Sequence, residues 1–280
     1  MTAAFDHVVA ALPPAMQAAL AEAADGAELH AEACWYGPDP VPELVVGLVR
    51  GAPARLVRLA DRLVPAQAPR VARWLAGLHG IEHGIEDVGF KVGHHGVQLY
   101  VRGQISADAA TASFTHADVP VHPPQARNLL ALLAQPSLAM IGLEIEDERI
   151  EGALYASVPR VPATARAVSD AVRFLVRVVA PDQVPVWDAV APALFDAPAD
   201  EIVYVSTSAT LDWAWAKLDV GMRQLPMALA LAAHLETTAI TTGLAAARAL
   251  GGTSWSHVGM RFGSNFGPAF YLPIAGDRER

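Results

Sequence analysis

Residues 201–220, EIVYVSTSATLDWAWAKLDV, contain two β-rich runs able to fold back on each other. Side chains alternate along a strand, so Trp213, Trp215, Lys217 and Asp219 share one face of the second run, while Ala214, Ala216, Leu218 and Val220 share the other. The aliphatic face suits packing against helices. The first face sets two indoles, an ammonium and a carboxylate in a row, so it must be solvated or line a cavity that holds something polar and flat. Lys217 carries extra weight because the chain has 18 arginines but only two lysines, Lys91 and Lys217, both inside predicted strands. Abundant Ala, Arg and Pro fit a GC-rich coding bias that favours arginine by itself, so a retained lysine is informative.

The same alternation recurs in four other places. Glu28, His30, Glu32 and Cys34 alternate with Leu29, Ala31, Ala33 and Trp35 before a GPDPVP turn and an apolar return over 44–49. Residues 88–105 set Lys91 opposite Val88, Phe90 and Val92, turn at 93–96, and return with Gln98, Tyr100, Arg102 and Gln104 against Val97, Leu99 and Val101. Residues 137–158 set Gly142, Glu144 and Glu146 opposite Ile141, Leu143 and Ile145, and return carrying Tyr155. Residues 255–274 set His257 and Arg261 opposite Val258, Met260 and Phe262, with Tyr271 opposite Phe270, Leu272 and Ile274. Helical spacing fills the intervals: 6–24 interrupted at Pro13-Pro14, 53–64, 68–78, 123–134, 164–179 capped by Thr164, 184–194 with a kink or early end at Pro192, and 226–250. Residues 79–87 read as a loop, and a polar linker runs through His122.

The hairpin-plus-helix unit thus repeats five times, at a spacing of roughly 55 residues. Stacked sheets or a flat ten-stranded sheet would leave long edges, whereas closing ten antiparallel strands removes them. The expected fold is α+β: a single domain over 1–280, a ten-stranded antiparallel barrel of five ββα repeats with an outer ring of helices. The opposite strand faces would line a wide lumen, too polar for a packed core and too aromatic for a plain water channel.

Composition bounds the function. A hydrophobic fraction of 53% excludes disorder. The longest apolar stretch, near 227–233, is cut by His234 and Glu236, short of the roughly 18 to 20 residues that a membrane span requires, so no membrane partner is expected. Residues 1–11 carry Asp6 and His7 and no basic start, unlike a secretory signal. A single cysteine, Cys34, forms no internal disulfide and agrees with a reducing cytoplasm. A net charge of −9 argues against nucleic acid as a partner.

Five repeated ββα units with helices outside resemble the aromatic prenyltransferases of the ABBA barrel. Two segments, LHAEACWYG in the first hairpin and MIGLEIEDERIEGALYASV in the third, are similar to the cyanobactin-type peptide prenyltransferase branch. The resemblance implies transfer of a prenyl group from an allylic diphosphate donor to an aromatic or nucleophilic acceptor, a peptide side chain or a small natural product, without an aspartate-rich metal motif. No organic cofactor is implied, and Mg²⁺ accompanying the diphosphate is the one metal this chemistry leaves room for. Such a reaction needs cations for the leaving diphosphate, aromatic faces around the allylic cation, and a base. Lys91, Arg102, Lys217 and Arg261 are the candidate cations. Tyr100, Tyr155, Tyr204, Trp213, Trp215 and Tyr271 are the candidate shield, and Glu32, Glu28 or His30 the candidate base. The chain departs from the peptide branch at Gln98 and Tyr100, where that branch carries a lysine and a histidine, and the return strand LVVGLV offers no cation before Arg50. A barrel that binds a peptide or hydrophobic ligand without catalysis therefore stays open as a second reading.

Other signals carry less chemistry. His79 and His83 flank Glu82, and His94-His95 sit in a turn, but neither spacing matches a zinc pattern. GMRFGSNFG lies inside a hairpin rather than ahead of a helix, unlike a dinucleotide-binding loop. Cys34 reads as a small buried thiol rather than a nucleophile.

Overall fold

The computed structural model describes residues 3–36, 42–49, 52–78, 85–93, 96–160, 162–195, 201–210, 215–221, 245 and 257–275. Its strands are β1 (Leu29–Tyr36), β2 (Glu43–Val49), β3 (Ile85–Gly93), β4 (Gly96–Ile105), β5 (Leu138–Glu146), β6 (Arg149–Arg160), β7 (Glu201–Ser208), β8 (Trp215–Gly221), β9 (His257–Gly263) and β10 (Gly267–Ala275). Each pairs antiparallel with its neighbours in sequence, and β1 pairs with β10, so the sheet closes as the ten-stranded barrel expected from the hairpins. Odd-numbered strands therefore all run one way, and the hairpin turns gather at one end of the barrel.

The helices are α1 (Ala3–Ala11), α2 (Pro14–Ala24), α3 (Ala54–Leu63), α4 (Ala68–Ala76), α5 (Ala107–His116), α6 (Pro124–Leu133), α7 (Pro162–Val179) and α8 (Val184–Phe195), with a 3₁₀ turn at Pro181–Gln183. The main core lies between them and the outer barrel face. Leu44, Phe90, Leu99, Leu143, Val205, Leu218, Phe262 and Leu272 point outward and are buried, as are Trp74 of α4, Phe114 of α5 and Trp187 of α8. Trp187 meets Phe262 edge-on, with centroids 5.9 Å apart. Among the described residues, no helix is long and apolar enough to cross a membrane.

Several local expectations differ. The polar linker before His122 contains helix α5, capped by Ser106, whose side chain accepts from Ala109 N. Its ADAATASFTH sequence lacks a strong apolar stripe but is rich in alanine, the best helix former, and it buries Ala110, Ser113 and Phe114. Residues 85–87 belong to β3 rather than to a loop. Thr164 does not cap α7, which begins at Pro162; its hydroxyl donates to Pro159 O at 2.6 Å. Pro192 lies inside α8, which continues to Phe195. The expected helix over 226–250, save residue 245, lies outside the described residues, as do Trp213, His79, Glu82, His83 and His94-His95.

Candidate active site

A cavity of about 160 Å³ occupies the lumen. Its lining combines Tyr100, Tyr155, Tyr204, Trp215 and Tyr271 with Arg102, Lys217 and Arg261, with Glu32, Asp87, Glu144 and Asp219, and with His30 and His257. Alternation aims all of these inward, since the residues between them pack under the helices.

The cations follow the ladder. Arg102 faces Met140, Met140 faces Tyr155, Tyr155 faces Ser206, Ser206 faces Lys217, and Lys217 faces Arg261, one row running across six strands. Lys217 Nζ lies 2.8 Å from Asp219 Oδ1, donates to the Tyr271 hydroxyl, and stands 4.9 Å from the Tyr271 ring centroid. Gly259 makes that arrangement possible, because a Cβ there would lie 2.2 Å from Asp219 Oδ1 and 2.9 Å from Lys217 Cε. Arg261 reaches across the lumen to Glu144 Oε2 at 3.4 Å, donates to Ser264 O, and lies 4.3 Å over the Trp215 ring. Arg102 is half-buried and faces Asp87 across the β3–β4 ladder.

Lys91 is placed differently from the expectation that it would meet a diphosphate. It does not line the cavity; its ammonium lies 2.7 Å from Glu43 Oε2, with the two side chains only 6% and 4% exposed. Glu43 begins β2 on the lumen side, two residues before Val45, which faces Lys91. Glu43 lies one residue ahead of the return strand expected over 44–49, so alternation within that strand does not point to it as the partner. Asp87 and Met140 also line the cavity and went unsingled, although their alternation with Val88 and Ile141 carries the signal.

Among the candidate bases, Glu32 is buried on the cavity wall and His30 lies beside it. The His30 ring covers Gly47, where a Cβ would come within 2.1 Å of it. Glu28 has the right parity but precedes β1 and is exposed, away from the cavity. His257 Nδ1 is 3.9 Å from Glu32 Oε1. Its ring sits 6.0 Å from that of Tyr204 and 6.2 Å from that of Tyr271.

The rings fall into two groups, Tyr204 and Tyr271 around His257, and Tyr100 and Tyr155 with Trp215. Tyr100 and Tyr155 meet edge-on at 5.9 Å, and Tyr100 donates to Gln98 Oε1. Burial, reinforced by nearby Glu144 and Asp219, pushes the Tyr155 phenol well above its ordinary range, so it stays neutral. Burial likewise pushes the Cys34 thiol up to about 12, which removes it as a nucleophile. An array of faces and edges with two opposed cations can hold a polyanion beside a carbocation while shielding both from water.

No protein-family model matches the chain. No curated protein matches it in sequence. Solved structures do match. A 6-dimethylallyl tryptophan synthase superposes with a TM-score of 0.62 at 12% identity, over 98% of this chain and 94% of that one. The 6-dimethylallyltryptophan synthase from Micromonospora olivasterospora, solved in complex with DMASPP and Trp, gives 0.60 at 14%, over 98% and 95%. The 5-dimethylallyltryptophan synthase from Streptomyces coelicolor gives 0.53 at 13%, over 95% and 93%. What this chain shares with those synthases is their fold: it is a closed ABBA barrel over nearly its whole length.

Proposed function

We propose that the barrel transfers a prenyl group from an allylic diphosphate to an aromatic acceptor. The observation that carries this reading is the pairing of Lys217 directly opposite Arg261 on the lumen face. Their heads lean apart, Lys217 towards Asp219 and Arg261 over Trp215 towards Glu144, so both stay on the cavity wall, where an anion of more than one charge can draw on each of them. The fold shared with dimethylallyltryptophan synthases supports the same chemistry. In this reading the allylic C–O bond breaks and its electron pair leaves with the diphosphate held by Lys217 and Arg261. Tyr100, Tyr155 and Tyr271 face the cation, the acceptor carbon attacks it, and Glu32 takes the proton. Mg²⁺ would travel with the diphosphate and lower its charge. Among the described residues, no three His, Cys, Asp or Glu side chains converge into a metal site that would cage it. A small aromatic molecule or an aromatic peptide side chain would suit the acceptor position.

One observation favours the second reading, a binding barrel without turnover. Among the described residues, four lining carboxylates face three lining cations, and two of those cations already contact a carboxylate. The deciding experiment incubates the protein with dimethylallyl or geranyl diphosphate, Mg²⁺ and acceptors including tryptophan, tyrosine and aromatic peptides. Added prenyl mass supports transfer. Absence of product together with calorimetric binding of acceptor alone would establish the second reading instead.

A further inference from the structure

We infer that His257 is a relay residue that carries away the proton Glu32 removes from the acceptor; this rests on the prenyl-transfer reading above. Each transfer to an aromatic carbon releases one proton, and Glu32 is poorly placed to shed it, its side chain being only 4% exposed. A carboxyl group that keeps the proton is inert in the next turnover. His257 Nδ1 lies 3.9 Å from Glu32 Oε1, within reach after a small shift or through one water, and its side chain is 20% exposed. Imidazole is the side chain suited to accept and lose a proton near neutral pH.

Aromatic neighbours flank the ring on two sides. His257 begins β9 with Gly221, which carries no side chain, as its neighbour on β8 and Tyr271 on β10. Tyr271 stands edge-on and Tyr204 tilted against it. The charged or titratable groups lining the cavity on the surrounding strands are His30 and Glu32 of β1, Tyr204 of β7, Lys217 and Asp219 of β8, Arg261 of β9 and Tyr271 of β10. The step balances. The acceptor C–H bond breaks, its electron pair restores the aromatic ring, the proton passes to Glu32 and then to His257 Nδ1, and the opposite ring nitrogen releases a proton to water. The diphosphate has already left with the electrons of the C–O bond.

Two measurements on the full chain test this. NMR titration should give His257 a higher pKa in the wild type than in Glu32→Gln, because a carboxylate at this range favours imidazolium; identical titrations would overturn the relay. With dimethylallyl diphosphate and tryptophan, or whichever acceptor gives product, His257→Ala should lower kcat by about tenfold to a hundredfold with both KM values nearly unchanged. Its rate should also fall less steeply towards acid pH than that of the wild type, because only protonation of Glu32 then remains, and it should regain part of its activity with free imidazole. His257→Asn, which keeps a polar group of similar size, should show the same kcat loss if alanine disturbs folding. Turnover without imidazole rescue, or losses confined to KM, would overturn the relay alone, whereas a wild type that never turns over would overturn the proposed function and the relay with it.

Discussion

The chain's two lysines make different predictions despite their matching strand settings. Removing the Lys91 ammonium strands the Glu43 carboxylate in a sealed site, so Lys91→Met should destabilise by about 3 to 5 kcal/mol in denaturant titration. Lys91→Met with Glu43→Leu should recover most of that loss and leave donor affinity unchanged. A double variant that loses the donor would return Lys91 to the binding site. Lys217 faces the cavity, so Lys217→Ala should raise the donor KM by about ten- to a hundredfold, the value of a charge-assisted contact, while the fold persists. Lys217→Arg should restore part of it, since a planar fork does not replace a point charge. Equal donor binding by wild type and Lys217→Ala in calorimetry would remove Lys217 from that role. Parity along the strands was enough to put Tyr100, Arg102, Tyr155, Lys217 and Arg261 on the inner face. It could not reveal depth or partners: Glu28 has the parity of Glu32 yet lies ahead of the strand, and Arg261 meets Glu144 from 117 residues away.

Helices α7 and α8 are tied by two hydrogen bonds from Arg173 to Asp188, at 2.7 and 2.9 Å. The bond from Arg173 is the foremost cause holding the Asp188 carboxyl below the usual carboxylate range. A depressed folded-state pKa contributes stability above the unfolded value, near 4 for aspartate, and that contribution disappears as pH falls through the folded value. Arg173→Ala should therefore lower Tm slightly at pH 7, with the gap closing in strong acid. A gap of constant size down to pH 2 would assign the loss to packing. The strands were legible because alternation is strict wherever one face meets helices and the other a cavity. Helix α5 was not: of its buried positions Ala110, Ser113 and Phe114 only Phe114 is large and apolar, too little for a stripe, and Ser113 reaches inward to donate to Trp74 O. Thr164 resembled a cap only because the proline that opens α7 lies two residues earlier.

At the scale of the molecule, closure rests on β1 against β10, a pairing from Ala31–Ala275 through Tyr36–Ala269. A chain cut before β9 would expose the open edges of β1 and β8, so it should appear in the insoluble fraction on expression. A circular permutant opened at the β5–β6 turn around Asp147, with a linker joining residues 280 and 1, keeps every strand pair and should stay soluble and bind donor as the wild type does. Failure of that permutant would mean that the order in which strands appear matters as much as their pairing. During synthesis, hairpins emerge one at a time and each can zip onto its predecessor, yet the ring stays an incomplete staircase until the last strand leaves the ribosome. Every nascent chain therefore passes through an interval in which two sheet edges and an unsealed polar interior meet solvent together, and its yield in a cell depends on how briefly that interval lasts.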